Sequence, residues 1–123
     1  MKFYKCLVCG KIIAEIKDGM IGTVCCGEIM EELVANTTDA AVEKHVPVVL
    51  VNANKVEVSV GSVTHPMEDK HFIEWIALET SQGFVMKNLK PGQEPKATFA
   101  LADGETVVKA YAYCNLHGLW ANN

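Results

Sequence analysis

Four of the chain's five cysteines, Cys6, Cys9, Cys25 and Cys26, fall within its first 26 residues. The fifth, Cys114, and all four histidines, His45, His65, His71 and His117, lie beyond them. Core residues scatter more evenly than this, so the cysteines divide the chain into two parts with different needs. From Met1 to about Asn36 there are 4 Lys against 5 acidic residues, and the apolar content is limited to short stretches such as Ile12-Ile13 and Met30 to Val34. A segment of roughly 36 residues rarely holds a fold by hydrophobic burial alone. A metal gripped by the four thiolates would staple it, because ligand-binding free energy becomes folding free energy in such modules. Cys6-Leu7-Val8-Cys9-Gly10 is a C-x-x-C turn followed by glycine. Cys25-Cys26-Gly27 is an adjacent pair that cannot repeat that turn, so this half of the tetrahedron is expected to be strained. Four thiolates suit zinc or iron. A structural zinc ribbon and an iron centre both remain open on spacing, and disulfides fit poorly with a reducing compartment.

Composition excludes several classes. The longest apolar run, Val46 to Val51 with Pro47 inside it, is far short of the roughly 20 residues that span a bilayer, so no membrane role is expected. Met-Lys-Phe-Tyr-Lys runs straight into the first cysteine with no apolar core of a signal peptide, which reads as a cytoplasmic chain. The formal charge is −4 and all 11 basic residues are lysine. With no arginine to fork onto phosphates or guanines, nucleic acid is not expected as a partner.

From about Thr37 the pattern becomes short runs of period-2 alternation between turn signals. Val46 to Asn52 and Lys55 to Gly61 read as a hairpin across Asn52-Ala53-Asn54, with Val56, Val58 and Val60 on one face. His71 to Glu79, Phe84 to Lys90, Lys96 to Ala102 and Thr106 to Tyr113 follow as strands. At least six strands and no long helical stripe predict an antiparallel sandwich or barrel.

In that second part, Cys114-Asn115-Leu116-His117-Gly118 places a thiolate and an imidazole three residues apart just after the last predicted strand. His65 and His71 bracket the short connection from Pro66 to Lys70, and His45 closes Glu43-Lys44-His45. A lone histidine is more often a hydrogen-bonded surface or core residue than a ligand. Here every histidine stands at the edge of a predicted strand, and one is paired with the leftover cysteine. Four imidazoles and a thiolate exceed the four ligands of a structural zinc and differ from the two-histidine, one-cysteine blue-copper set. Five ligands on a six-coordinate metal leave one position open. A thiolate opposite that position would push electron density toward whatever binds there, which suits redox chemistry on a small oxygen ligand.

Several motifs closely resemble those of the desulfoferrodoxin family of two-iron superoxide reductases. They are Tyr4-Lys5-Cys6-x-x-Cys9-Gly10, Val24-Cys25-Cys26-Gly27-Glu28-x-Met30, Asp39-Ala40-Ala41-x-Glu43-Lys44-His45-Val46-Pro47, His65-Pro66-Met67-Glu68-x-Lys70-His71-x-Ile73-Glu74-Trp75-Ile76, Leu89-Lys90-Pro91-Gly92, and Tyr113-Cys114-Asn115-Leu116-His117-Gly118-Leu119-Trp120. The resemblance covers essentially the whole chain, with no departure at a ligand position.

The resemblance implies a mainly β protein. A small desulforedoxin-like domain over residues 1–36 would hold a tetrathiolate iron on Cys6, Cys9, Cys25 and Cys26. An immunoglobulin-like β-sandwich over 37–123 would carry the catalytic non-haem iron on His45, His65, His71 and His117, with Cys114 opposite the open position. It further implies one-electron reduction of superoxide to hydrogen peroxide, rubredoxin or a similar protein as electron donor, and a homodimer. Glu43 resembles the family glutamate that occupies the open position of the oxidised iron. Lys44, beside His45, is the candidate for steering the superoxide anion and for holding a water that protonates the product. In a strand Glu43 and His45 would point one way and Lys44 the other, so the three are expected on a loop; a solvated Glu-Lys pair is the plainer reading. Trp75, Phe99 and Ile73 are expected in the core, Met30 and Met67 as packing residues, and Trp120 and Tyr113 as walls around the Cys114 loop. A non-catalytic electron carrier and a zinc-stapled binding module are the rival readings.

Overall fold

A computed structural model describes residues 1–19 and 22–122. The chain separates into two compact units, 1–34 and 35–123.

The first unit is built on β1 (Lys2–Lys5), which pairs antiparallel with β2 (Ile12–Glu15) and β5 (Glu31–Leu33). A separate hairpin, β3 (Val24–Cys25) with β4 (Glu28–Ile29), presents the second cysteine pair. Among the described residues of this unit only Phe3, Cys6 and Met30 are buried. Three buried side chains cannot offset the ordering of some thirty residues, each costing about 1–2 kcal/mol of backbone entropy. The thiolate staple is therefore a requirement of the fold.

The second unit opens with a single helical turn, α1 (Val42–His45), followed by seven strands in two antiparallel sheets. The three-stranded sheet has the order β10-β7-β6, from β6 (Pro47–Asn52), β7 (Lys55–Val60) and β10 (Lys96–Ala100). The four-stranded sheet has the order β12-β11-β8-β9, from β8 (Ile73–Thr80), β9 (Gly83–Asn88), β11 (Val107–Cys114) and β12 (Gly118–Ala121). The alternation expected of β7 is met: Val56, Val58 and Val60 are buried, and Ala97 and Phe99 of β10 lie opposite Val58 and Val56. These side chains share one core with Ile73, Ile76 and Leu78 of β8 and Ala110, Ala112 and Cys114 of β11, which makes the unit a face-to-face sandwich.

A register shift between Tyr113 and Cys114 matters for the chemistry. Tyr113 faces Trp75 while Cys114 faces Ile73, so β8 carries one extra residue there. The bulge brings Ile73 into the core beside Cys114. Met67 packs against this core and its sulfur accepts the Ile73 N–H at 3.4 Å, a packing role as expected.

One feature departs from the sequence reading. Glu43, Lys44 and His45 lie on the helical turn α1, not on an irregular loop. Successive side chains on a helix diverge by about 100°, which separates Glu43, Lys44 and His45 without needing a loop. β12 brings the strands to seven, in keeping with the expected minimum of six, although no run in the sequence marked it. Its burial is continuous over Leu119, Trp120 and Ala121, so it has no alternation to read.

Candidate metal centres

In the first unit Cys6, Cys9, Cys25 and Cys26 place their sulfurs within 4.8 Å of one another. The Cys9–Cys25 and Cys25–Cys26 sulfurs are 3.8 and 3.9 Å apart. A tetrahedron with metal–sulfur bonds of about 2.3 Å has edges of about 3.8 Å, so the four sulfurs sit as a metal requires. Cys6 is buried and its sulfur accepts the Cys9 N–H at 3.4 Å. That backbone donor, followed by a weaker one from Val8, outweighs desolvation and lowers the thiol to about 6. Cys26, next to the other sulfurs, is pushed up to about 12, first by its hydrogen bonds to Cys9 and Cys25. Four thiolates cannot coexist there without a cation. The strain expected of the adjacent pair is present: Cys26 has φ of 52°, in the left-handed region that disfavours a side chain.

The second centre gathers residues from four places. His45 ends α1, His65 follows β7, His71 forms an isolated bridge with Glu68, and Cys114 ends β11. Their donor atoms lie within 4.8 Å of one another. His117, in the β11–β12 turn, lies beside the set, with Nδ1 3.1 Å from His45 Nε2 and 3.8 Å from Cys114 Sγ. The four imidazoles stand at the corners of a square. Neighbouring ring centroids are 4.7 (His45–His65), 4.7 (His65–His71), 5.1 (His71–His117) and 4.9 Å (His45–His117), all edge-to-face. The His45–His71 diagonal is 6.4 Å.

The donor atoms themselves call for a cation. His45 Nδ1 lies 2.7 Å from the Ala41 carbonyl and His65 Nδ1 2.6 Å from the Pro66 carbonyl. A carbonyl only accepts, so each Nδ1 carries the proton and each Nε2 is left with a lone pair. Those two Nε2 atoms face each other at 3.2 Å, and neither neutral ring can donate to the other. His71 Nε2 is buried with no hydrogen-bond partner. Converging lone pairs and an orphaned nitrogen are satisfied together by a metal ion, with the carbonyls fixing tautomer and ring orientation. Trp120 braces two corners, stacking on His45 at 4.8 Å and donating its Nε1–H to the His117 carbonyl at 3.0 Å. For Trp120, expected as a wall, these contacts make a brace, a role that no spacing in the sequence reveals.

Burial disfavours the charged forms of His45, His65 and His71. It is the leading cause that lowers His65 to about 4, with the neighbouring imidazoles adding to it, and it lowers His45 and His71 as well. Burial raises Cys114, against the backbone N–H groups of Leu116 and His117 that favour its thiolate. A bound cation would remove that proton. The linkage has a definite sign. In metal-stripped protein His65 binds a proton far more weakly folded than unfolded, where its value is 6.5. Its contribution to stability is therefore full above about pH 6.5 and lost as the pH falls toward about 4. Both tryptophans of the chain, Trp75 and Trp120, are buried in this unit. Fluorescence-detected melting of the stripped protein is expected to give a midpoint that falls across that window, and a flat midpoint would contradict it.

Glu43 and Lys44 are exposed. The Lys44 charge reaches the site, contributing to the lowering of both His45 and His71. Glu43 is held through its backbone, where its carbonyl accepts from Val63 N–H at 2.9 Å and Ser62 Oγ at 3.2 Å.

A small β unit closed by four thiolates and a sandwich carrying a histidine–thiolate square define a two-centre non-haem metalloprotein. Residues 1–33 match the desulfoferrodoxin N-terminal domain and residues 37–123 match desulfoferrodoxin. The chain belongs to the desulfoferrodoxin family, and its two donor sets fit the two iron centres of that family. It is 50% identical over 120 residues to a desulfoferrodoxin homolog of Archaeoglobus fulgidus, covering 98% of this chain and 94% of the relative. With the desulfoferrodoxin of Nitratidesulfovibrio vulgaris it shares 47% identity over 119 residues, 97% of this chain and 93% of that one. The crystal structure of the superoxide reductase from Treponema pallidum is similar with a TM-score of 0.82, 37% identity and 98% coverage of both chains. No helix among the described residues is long and apolar enough to cross a membrane.

Proposed function

We propose that this chain is a superoxide reductase, whose catalytic iron is held by His45, His65, His71, His117 and Cys114 and served by Lys44 and Glu43. The observation that carries the reading is the square of four imidazoles with a buried thiolate beside it. Iron bound there supplies one electron to superoxide, and two protons complete hydrogen peroxide. On this reading residues 1–36 form the tetrathiolate iron domain and 37–123 the catalytic one. Rubredoxin or a similar protein would return the electron, and the protein would work as a cytoplasmic homodimer.

The chain's own residues account for the rest of the reaction. The His45 and His65 rings are locked by their carbonyl partners and stay neutral, so they need no reorganisation when charge arrives. Lys44 supplies positive charge on the solvent side of a chain of net charge −4, which draws the superoxide anion to one spot. Its ammonium also orders a water able to give a proton to the product. Glu43, one position earlier on α1, would supply the carboxylate that the iron takes up when no substrate is bound.

Pulse radiolysis of the reduced iron-loaded protein tests this. Superoxide is expected to decay rapidly, and Lys44→Ala is expected to slow the encounter about tenfold at low ionic strength, with the gap narrowing as salt rises. Absence of fast decay in the unaltered protein would remove the reductase reading and favour an electron carrier. An unchanged rate in the variant would remove only the role of Lys44.

A further inference from the structure

The four histidines are not held alike. His45 and His65 each anchor Nδ1 on a carbonyl. No carbonyl is recorded holding the His71 ring in that way among the described residues: its Nε2 is buried without a hydrogen-bond partner, and its ring packs edge-to-face on His65 and His117. Its place must therefore be set through its main chain.

That main chain is tied almost completely. His71 N–H donates to the Glu68 carbonyl at 3.1 Å, and its own carbonyl accepts from Glu68 N–H at 2.9 Å. The groups on either side go to one residue, Asn115. Asn115 Nδ2 donates to the Lys70 carbonyl at 3.0 Å, and Asn115 Oδ1 accepts from Phe72 N–H at 3.0 Å. The Asn115 backbone N–H adds a third bond, to the Phe72 carbonyl at 3.2 Å. A carboxamide that donates to the residue before His71 and accepts from the residue after it reproduces the pairing of a residue on a parallel strand. The partners also fix which end of the amide is oxygen, since a carbonyl can only accept and an N–H only donate.

Asn115 follows Cys114 directly and lies two residues before His117. The clamp therefore ties the turn that carries the thiolate and one imidazole to the segment that carries another, across 45 residues of sequence. We propose that Asn115 is a positioning residue for the second centre, fixing His71 relative to Cys114 and so setting the ligand field. The proposal rests on that site being an iron centre. No other amide or acid is placed to do this job among the described residues, and alanine there would free Lys70 O and Phe72 N–H on both sides of His71.

The test compares Asn115→Ala and Asn115→Asp with the unaltered protein, all loaded with ferrous iron, oxidised, and followed by EPR and by iron release to a chelator. Asn115→Ala is expected to change the rhombicity of the ferric second-site signal and to speed iron release from that site about tenfold or more. The tetrathiolate signal serves as the internal control. Asn115→Asp keeps the acceptor for Phe72 N–H and loses the donor to Lys70 O, so it is expected to fall between the two. A variant that melts at lower temperature with an unaltered second-site signal and release rate would overturn the proposal, leaving Asn115 a purely structural residue. If the unaltered protein gave no second-site iron signal at all, the reductase reading and this proposal would fall together.

Discussion

Cys114→Ser is expected to abolish the thiolate-to-iron charge-transfer band of the second centre and to cut its rate with superoxide by at least about 100-fold, since loss of a group merely supporting a ligand already costs 10–100-fold. The sulfur is completely buried at the end of β11, and the backbone N–H groups of Leu116 and His117 favour its anionic form against the cost of burial. A serine hydroxyl reaches less far and stays protonated. It would offer a hard, neutral and poorly placed donor where a soft anion belongs. The four imidazoles would still form their square, so some iron should remain, bound without the electron-rich partner that makes it a good donor. The tetrathiolate absorbance should be unchanged, because Cys6, Cys9, Cys25 and Cys26 lie in the separate first unit. Visible spectra and pulse radiolysis of the same sample decide the matter. Undiminished superoxide decay in the variant would mean that Cys114 packs the core and has no part in the reaction.

The ligand types were legible in the sequence because chemistry restricts them. Thiolates six to 26 residues from the start, in a segment with too little apolar surface to fold, have few other uses. The sandwich was legible where burial alternates, as along Val56, Val58 and Val60. It was not legible where that rule lapses. Gly118 to Ala121 is buried almost throughout, and the first-unit strands are two to four residues long. Nor could α1 be read, since four residues hold less than a helical period and owe their shape to distant partners. The Glu43 carbonyl, for example, is held by Ser62 and Val63. The same limit hid the Asn115 clamp and the Trp120 brace, whose contacts depend on how strands far apart in sequence come together. Which residues bind metal is a matter of local chemistry. How they are held is a matter of tertiary packing.

Gly61→Ala is expected to empty the second centre while sparing the first, although Gly61 is not a ligand and bears on the site only by packing against the backbone of α1. A Cβ built at Gly61 falls 2.7 Å from the Glu43 carbonyl oxygen, 3.0 Å from the Lys44 carbonyl carbon and 3.1 Å from the Val46 carbonyl oxygen. All three are backbone atoms, which cannot swing aside as a flexible side chain would. The φ of Gly61 lies outside the left-handed region, so the penalty expected of alanine is the steric one. Stiffening the unfolded chain would stabilise by about 0.4–1 kcal/mol. Forcing atoms into a filled space costs about 1–3 kcal/mol, so destabilisation wins. Relief by an outward movement of α1 would carry His45, its last residue, with it. Its Nε2 sits 3.2 Å from His65 Nε2 and 3.1 Å from His117 Nδ1, so a shift of a few tenths of an ångström pulls one corner off the square. Metal analysis should then give about one iron per chain where the unaltered protein gives about two, with the tetrathiolate spectrum intact and superoxide decay lost. Retention of both irons with an unshifted second-site spectrum would show that α1 yields without moving His45, and that the close approach at Gly61 has no bearing on the site.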